Sequence, residues 1–251
     1  MPKNPPNDLP KNLPEIPARA HRAALLPRTL LAATVLAASS LFSCATIAGS
    51  YEDSLSAASL GDARQLTGLL DRGIDPNTVD AQGNSLLILA AREGQLDTVE
   101  ALLKYRVRID DRNLAGDSAL MLAVLRGHDA VVQTLLKGGA RVNHEGWAPV
   151  HYAAFEGRET ALDALLAAGA DVNALAPNKA TALMLAARNG HAGLVRRLLA
   201  VAQTDLNALS DTGLSADAFA LQNKNSEIAE LIAAERKRRG LRPPALKVTI
   251  D

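Results

Sequence analysis

Cysteine is nearly absent from the chain, since Cys44 is the only one. No intrachain disulfide can form, and no zinc site built on cysteines can be assembled. Aromatic residues make up only 3% of 251 residues, which disfavours a β-sandwich or a barrel. Neither charge is in excess, because 27 basic residues balance 27 acidic ones. This balance excludes a global basic field for nucleic acid.

What the chain has in quantity is aliphatic side chains. Hydrophobic residues make up 48% of the sequence, and Ala and Leu recur throughout. Both residues favour helices, and the length suffices for one or two domains. We therefore expect an all-α fold that is stabilised by packing.

Residues 1–50 are predicted to be a disordered n-region followed by a signal peptide or lipoprotein signal. Basic residues up to Arg28 precede an apolar, uncharged run from Leu30 to Phe42. This order indicates export, to the periplasm or to a membrane-anchored position as a lipoprotein.

Three fates of this segment are compatible with its sequence. Ordinary cleavage near residues 48–50 is favoured, because small residues stand there. Lipidation of Cys44 is the second, because residues 41–44 resemble a lipobox, although Phe42 replaces a small residue. An uncleaved anchor is the third, although the apolar run is short for a bilayer span of about 20 residues.

A repeat of about 33 residues dominates the remainder. Aliphatic triplets begin at Leu66, Val99, Val132, Leu162, Val195 and Ile228, at spacings of 33, 33, 30, 33 and 33. Each triplet has i, i+3, i+4 spacing, which places one apolar stripe on a helix. A helix this short must stack on its neighbours to bury the stripe.

A second series stands in phase with the triplets. A glycine lies five residues before each of the first five triplets, at Gly61, Gly94, Gly127, Gly157 and Gly190. A glycine there ends a preceding helix and reverses the chain. Ser85, Ser118, Thr181 and Ser215 are placed to cap those preceding helices. The unit is therefore a helix-turn-helix pair, and turn sequences such as Asp80–Gly83 form a finger between pairs.

These residues resemble the ankyrin repeat family. Residues 181–191 read TALMLAARNGH and residues 146–154 read GWAPVHYAA, which resemble the family motif Gly-x-Thr-Pro-Leu-His-x-Ala-Ala-x-x-Gly-His. Residues 139–143 and 169–173 resemble its Gly-Ala-Asp-Val-Asn ending. No repeat keeps both the Thr and the His of the motif.

The resemblance implies a solenoid of about six helix-turn-helix repeats with short β-hairpin or turn fingers. The repeat domain is predicted at residues 51–240, followed by a flexible tail at 241–251. The basic run from Glu235 to Arg242 is expected to be a solvated helix end, with contact to phosphate or anionic lipid as the alternative. The predicted repeats span about 52–84, 85–117, 118–147, 148–180, 181–214 and 215–240.

The spacing of 30 predicts a shortened finger before Trp147, the only tryptophan. Trp147 is then either a binding anchor beside a gap in the finger row or a filler of the space left by the missing loop. Of these two roles, filling the space left by the missing loop is favoured.

No sequence feature indicates catalysis or a cofactor. The chain has no phosphate loop, dinucleotide fingerprint or zinc-protease motif. His128 and His191 occupy the family's Gly-His position, where the family uses histidine structurally. We expect a non-enzyme without cofactor or metal.

The resemblance implies binding of another protein on a concave surface of finger tips and exposed first-helix sides, the finger face. We expect an adaptor or scaffold of the bacterial cell envelope, with a structural or chaperone-like envelope protein as the alternative. The partner is predicted to have an acidic surface, the protein to be monomeric, and any membrane contact to pass through Cys44. The predicted contact residues are Arg92, Glu93, Asp117, Leu125, Arg126, Trp147, Phe155, Glu156, Lys179, Arg188, Asn189 and Gln222.

Overall fold

The computed structural model describes residues 38–244, with side chains from residue 49. The chain divides into two units, Met1–Phe42 and Ser43–Asp251. Only the last residues of the first unit are described, as the start of helix α1. Residues 1–37 of the predicted leader therefore lie outside the described residues, whereas residues 38–50 lie within α1. The side chain of Cys44 and residues 245–251 of the predicted tail also lie outside the described residues. No described helix is both long and apolar enough to cross a membrane.

Twelve helices and no named strand make up the described residues, which confirms an all-α repeat fold. From α3 onward they pair as a first and a second helix, and each first helix contacts the next first helix in the array. The helices are α1 Ala38–Leu60, α2 Ala63–Asp71, α3 Leu86–Arg92, α4 Leu96–Leu102, α5 Ala119–Arg126, α6 Asp129–Lys137, α7 Pro149–Glu156, α8 Glu159–Ala167, α9 Ala182–Asn189, α10 Ala192–Ala200, α11 Ala216–Gln222 and α12 Ser226–Arg238.

The first helices begin at hydroxyl residues for the expected reason in three cases. The side chains of Ser85, Ser118 and Thr181 each accept a hydrogen bond from the backbone N–H three residues later. Ser215 differs, because its hydroxyl donates to Asp217 Oδ1 at 2.6 Å and makes no capping bond.

The turn glycines leave room for a side chain of the next repeat. At Gly94 φ is +74°, and an added Cβ would lie 2.5 Å from Nδ1 of His128. His128 Nε2 in turn hydrogen-bonds the carbonyl of Arg92 at 3.0 Å, which links two repeats. The same backward link is made by Gln95, Arg158, His191 and Asn225.

The fingers contain little regular pairing. Isolated antiparallel bridges join Val79 to Ser85 and Arg112 to Ser118, so the predicted β-hairpins are reduced to single bridges in the described residues. Neighbouring fingers are joined by backbone bonds from Leu114 N–H to the Gln82 carbonyl at 3.0 Å and from Asp211 N–H to the Asn178 carbonyl at 3.1 Å. Each of these two backbone bonds therefore fixes one finger against its neighbour.

The basic end of α12 is not simply solvated, so that expectation is wrong for two of its arginines. Arg236 is buried, with 3% of its surface exposed. Arg239 donates to the backbone carbonyls of Leu199, Val201, Ala202 and Thr204 at the end of α10. Arg238, with 72% of its side chain exposed, fits the expectation. Arg239 satisfies carbonyl groups that would otherwise be unpaired at and just after the end of α10. Arg236 instead bonds the Leu206 carbonyl, Asn207 and the carboxylate of Asp217.

Candidate partner-binding face

The twelve predicted contact residues occupy the fingers and the C-terminal parts of successive first helices. None of them is fully buried. The exposed ones are Glu93, Arg126, Trp147, Lys179 and Gln222, and the other seven are partly buried. Since the first helices stack in order, these positions form one row along the finger face.

The three arginines of this row differ in their surroundings. Arg92 donates from Nε to the carboxylate of Glu93 at 2.8 Å, so its charge is compensated. Arg126 is exposed and has no ion pair among residues 49–244. The guanidinium of Arg188 lies over the Phe155 ring, 5.7 Å from the centroid. Two of the three arginines, Arg126 and Arg188, therefore have no ion pair among the described side chains, and neither has Lys179 of the same row.

Trp147 both packs locally and stays accessible. Its ring lies edge-on to the rings of His151, at 5.7 Å, and Tyr152, at 6.2 Å between centroids. The residue nevertheless keeps 39% of its surface exposed. Tyr152 donates its hydroxyl to Asp117, across the position of the shortened finger. Burial and this bond to Asp117 raise the pKa of the Tyr152 hydroxyl.

His151 is a buried structural histidine. Its Nδ1 accepts a hydrogen bond from the Ala148 N–H at 3.0 Å, so Nε2 carries the proton and donates to the Ala174 carbonyl at 2.9 Å. Burial lowers the pKa of His151, although these backbone bonds oppose the shift. Ala148 stands where the family motif has Thr, and its backbone N–H, rather than a side-chain hydroxyl, bonds the histidine.

A pocket of about 350 Å³ opens on the finger face between α9 and α11. Arg188 and Gln222 were expected on this surface, whereas Asp211, Leu214 and Phe219 were missed. Phe219 carried a usable signal, because it is an aromatic residue in an aromatic-poor chain at the position that Leu185 holds one repeat earlier. The lining residues are Asn178, Ala180, Met184, Leu185, Arg188, Asp211, Thr212, Leu214, Phe219 and Gln222.

Comparison with known families decides what this array is. The family model described as ankyrin repeats (3 copies) matches residues 55–145, 109–176 and 150–240. The chain belongs to the ankyrin repeat family. Ankyrin repeats are generally protein–protein interaction modules and are typically non-catalytic.

A second cavity lies beside the shortened finger of this ankyrin array. It has a volume of about 640 Å³ and is lined only by polar residues, Asp110, Arg112, Arg141, Asn143, His144 and Glu145. Burial, and then the nearby charge of Arg112, lower the pKa of His144. The Nε2 atom of His144 is buried and has no hydrogen-bond partner among the described residues.

The histidines in the described part of the ankyrin domain do not gather at one centre. No group of three or more His, Cys, Asp or Glu residues there could hold a metal ion. His128 and His191 each hydrogen-bond a backbone carbonyl of the preceding repeat, at 3.0 and 2.9 Å. Both rings therefore act in repeat stacking.

Proposed function

We propose that this ankyrin protein is a non-catalytic adaptor that binds another protein on the finger face. One observation supports the proposal most directly. Trp147, Arg126 and Arg188 remain accessible along a single row of an otherwise well-packed array. Tryptophan and arginine are enriched where binding energy concentrates in protein interfaces.

The partner is expected to present acidic side chains toward the finger face. Arg126 and Arg188 have no ion pair among residues 49–244, so each can pair with an external carboxylate. The protein is expected to bind as a monomer, which light scattering of the purified chain would check.

Site-specific photo-crosslinking in cells tests the face. A photoreactive residue replaces Arg126 on the finger face or, as a control, the exposed Gln133 on the second helix of the same repeat. We expect a discrete crosslinked partner from position 126 and none from position 133. Equal, diffuse crosslinking from both positions would favour the structural or chaperone-like alternative.

We also propose that the protein acts in the cell envelope, either free in the periplasm or anchored through a lipid on Cys44. The basic and then apolar order of residues 19–42 supports export. Intact mass and N-terminal analysis of the protein from fractionated cells separates the two forms. A start between Gly49 and Tyr51 indicates a soluble form and a lipidated Cys44 an anchored one, while an unprocessed chain in the cytosol contradicts export.

A further inference from the structure

Neighbouring residues of the array hold the Arg188 side chain in position. Its guanidinium lies over the Phe155 ring, and its Nε donates to Asn189 Oδ1 at 3.3 Å. The Asn189 amide in turn donates to the Phe155 carbonyl at 2.7 Å. A guanidinium that is already ordered loses less rotamer freedom on binding and pairs well with a carboxylate.

The pocket next to Arg188 has an apolar floor. Met184 and Leu185 of α9 are buried beneath it, and Leu214 and Phe219 are partly exposed at its surface. Its volume of about 350 Å³ lies at the small end of the range, about 300–1,000 Å³, in which proteins bind compact ligand groups. The floor can receive a large apolar side chain.

The finger wall of the same pocket carries the opposite charge. Asp211 is exposed, and its backbone N–H bonds the Asn178 carbonyl at 3.1 Å, which supports this finger. Arg188 and Asp211 line one pocket but form no ion pair with each other within the described residues. The pocket therefore presents a cation on α9, an apolar floor and an anion on the finger.

We propose that this pocket anchors a partner segment that carries a large apolar side chain between an acidic and a basic residue. The apolar side chain packs on Leu214 and Phe219, the acidic residue pairs with Arg188, and the basic residue pairs with Asp211. This inference rests on the proposed protein-binding function and adds the location and charge pattern of the anchor. Because one side of the pocket is cationic and the other is anionic, such a segment binds in preference to a uniformly acidic one.

Selection of peptides from a random display library on the full chain tests the pocket. We expect enriched peptides to share a large apolar residue flanked by one acidic and one basic residue. Arg188→Glu should weaken their binding by about 30-fold, and a peptide whose acidic residue is changed to Lys should regain it. Asp211→Lys should likewise be rescued by a peptide whose basic residue is changed to Glu. Circular dichroism of each variant establishes that the array remains folded.

Arg64→Glu is the matched control, because it reverses the charge of an exposed arginine on α2, outside the finger face. The selected peptides should bind this variant as they bind the unchanged protein. No enrichment, enrichment without the charge pattern, or failure of both charge swaps would overturn the pocket assignment. Arg126→Glu reverses a charge on the finger face outside the pocket. If it weakens binding and Arg188→Glu does not, the pocket is not the anchor, but binding on the finger face is still supported. If neither Arg126→Glu nor Arg188→Glu weakens binding, and photo-crosslinking at position 126 also fails, the proposed function is contradicted as well.

Discussion

Arg236 holds the carboxylate of Asp217 with both terminal nitrogens, Nη1 to Oδ2 at 2.8 Å and Nη2 to Oδ1 at 2.9 Å. The same guanidinium donates to the Leu206 carbonyl at 2.9 Å and to Asn207 Oδ1 at 3.1 Å. One side chain thus joins α12, α11 and the loop before α11. The last helix is fastened to the array by this contact as well as by its apolar stripe.

Arg236→Ala should lower the free energy of unfolding by about 3 kcal/mol, because a buried guanidinium is lost and its acceptors are left unpaired. Arg238→Ala is the control, since that arginine pairs with Glu235 while 72% of its side chain is exposed. Loss of this exposed pair should change stability by about 0.5 kcal/mol or less. Urea unfolding followed by circular dichroism measures both. Equal effects of the two variants would contradict a special role for Arg236.

The Arg236–Asp217 pair should also make the array sensitive to acid. Burial raises the pKa of Asp217, but hydrogen bonds from Arg236 and Ser215 outweigh burial and lower the pKa to about 2. The folded pKa is below the unfolded value of about 3.9, so this stabilisation is present above about pH 4 and is lost as the pH falls toward 2. The stability difference between the unchanged protein and Asp217→Asn should therefore shrink across that range. A constant difference would show that the carboxylate is not the titrating group.

Gly94→Ala should destabilise the array by about 2–3 kcal/mol. An alanine there takes up a left-handed conformation and forces the His128 ring off the Arg92 carbonyl. His128→Ala alone should cost about 1 kcal/mol. The double variant should lose less stability than the sum of the two single losses, because both changes remove the same contact. Full additivity in urea unfolding would refute the coupling.

Lys224→Gly should stabilise the last repeat by about 1 kcal/mol. Lys224 stands where the other repeats place their turn glycine and has φ of +64°, a conformation in which a Cβ is unfavourable. Lys237→Gly, a change of the same type at an exposed position inside α12, should instead destabilise by about 1 kcal/mol. Thermal unfolding of the two variants gives the sign of each change. A stabilising Lys237→Gly would mean that loss of lysine charge, not backbone geometry, is responsible.

Much of the fold was accessible from the sequence because its determinants are local. The triplet at Val132 and the glycine at position 127 are only five residues apart, and together they specify a helix pair. The same reasoning found Ser118 as a helix cap but misassigned Ser215, whose hydroxyl bonds Asp217. Asp217 stands two residues after Ser215, where Leu120 stands after Ser118, and Arg236 of another helix bonds the carboxylate that the Ser215 hydroxyl contacts.

The candidate site was accessible only in part. Arg188 and Gln222 were identified because the family pattern gives their position in each repeat. Asp211 and Phe219 were not, because a pocket depends on how one finger and two first helices approach each other. Trp147 shows the same limit, since its edge-on packing with Tyr152 and its residual exposure follow from the missing part of a finger.

The sequence alone determined the all-α repeat, the number of helix pairs and the place where one finger is shortened, because these follow from the spacing of side chains near one another along the chain. Only the tertiary structure decided that Arg236 and Arg239 turn inward and that Arg188 and Asp211 face one pocket without pairing. Those outcomes depend on the stacking offset between repeats, which brings together residues some 20 to 40 positions apart. Short-range periodicity does not specify that offset, whereas packing of the shared core does.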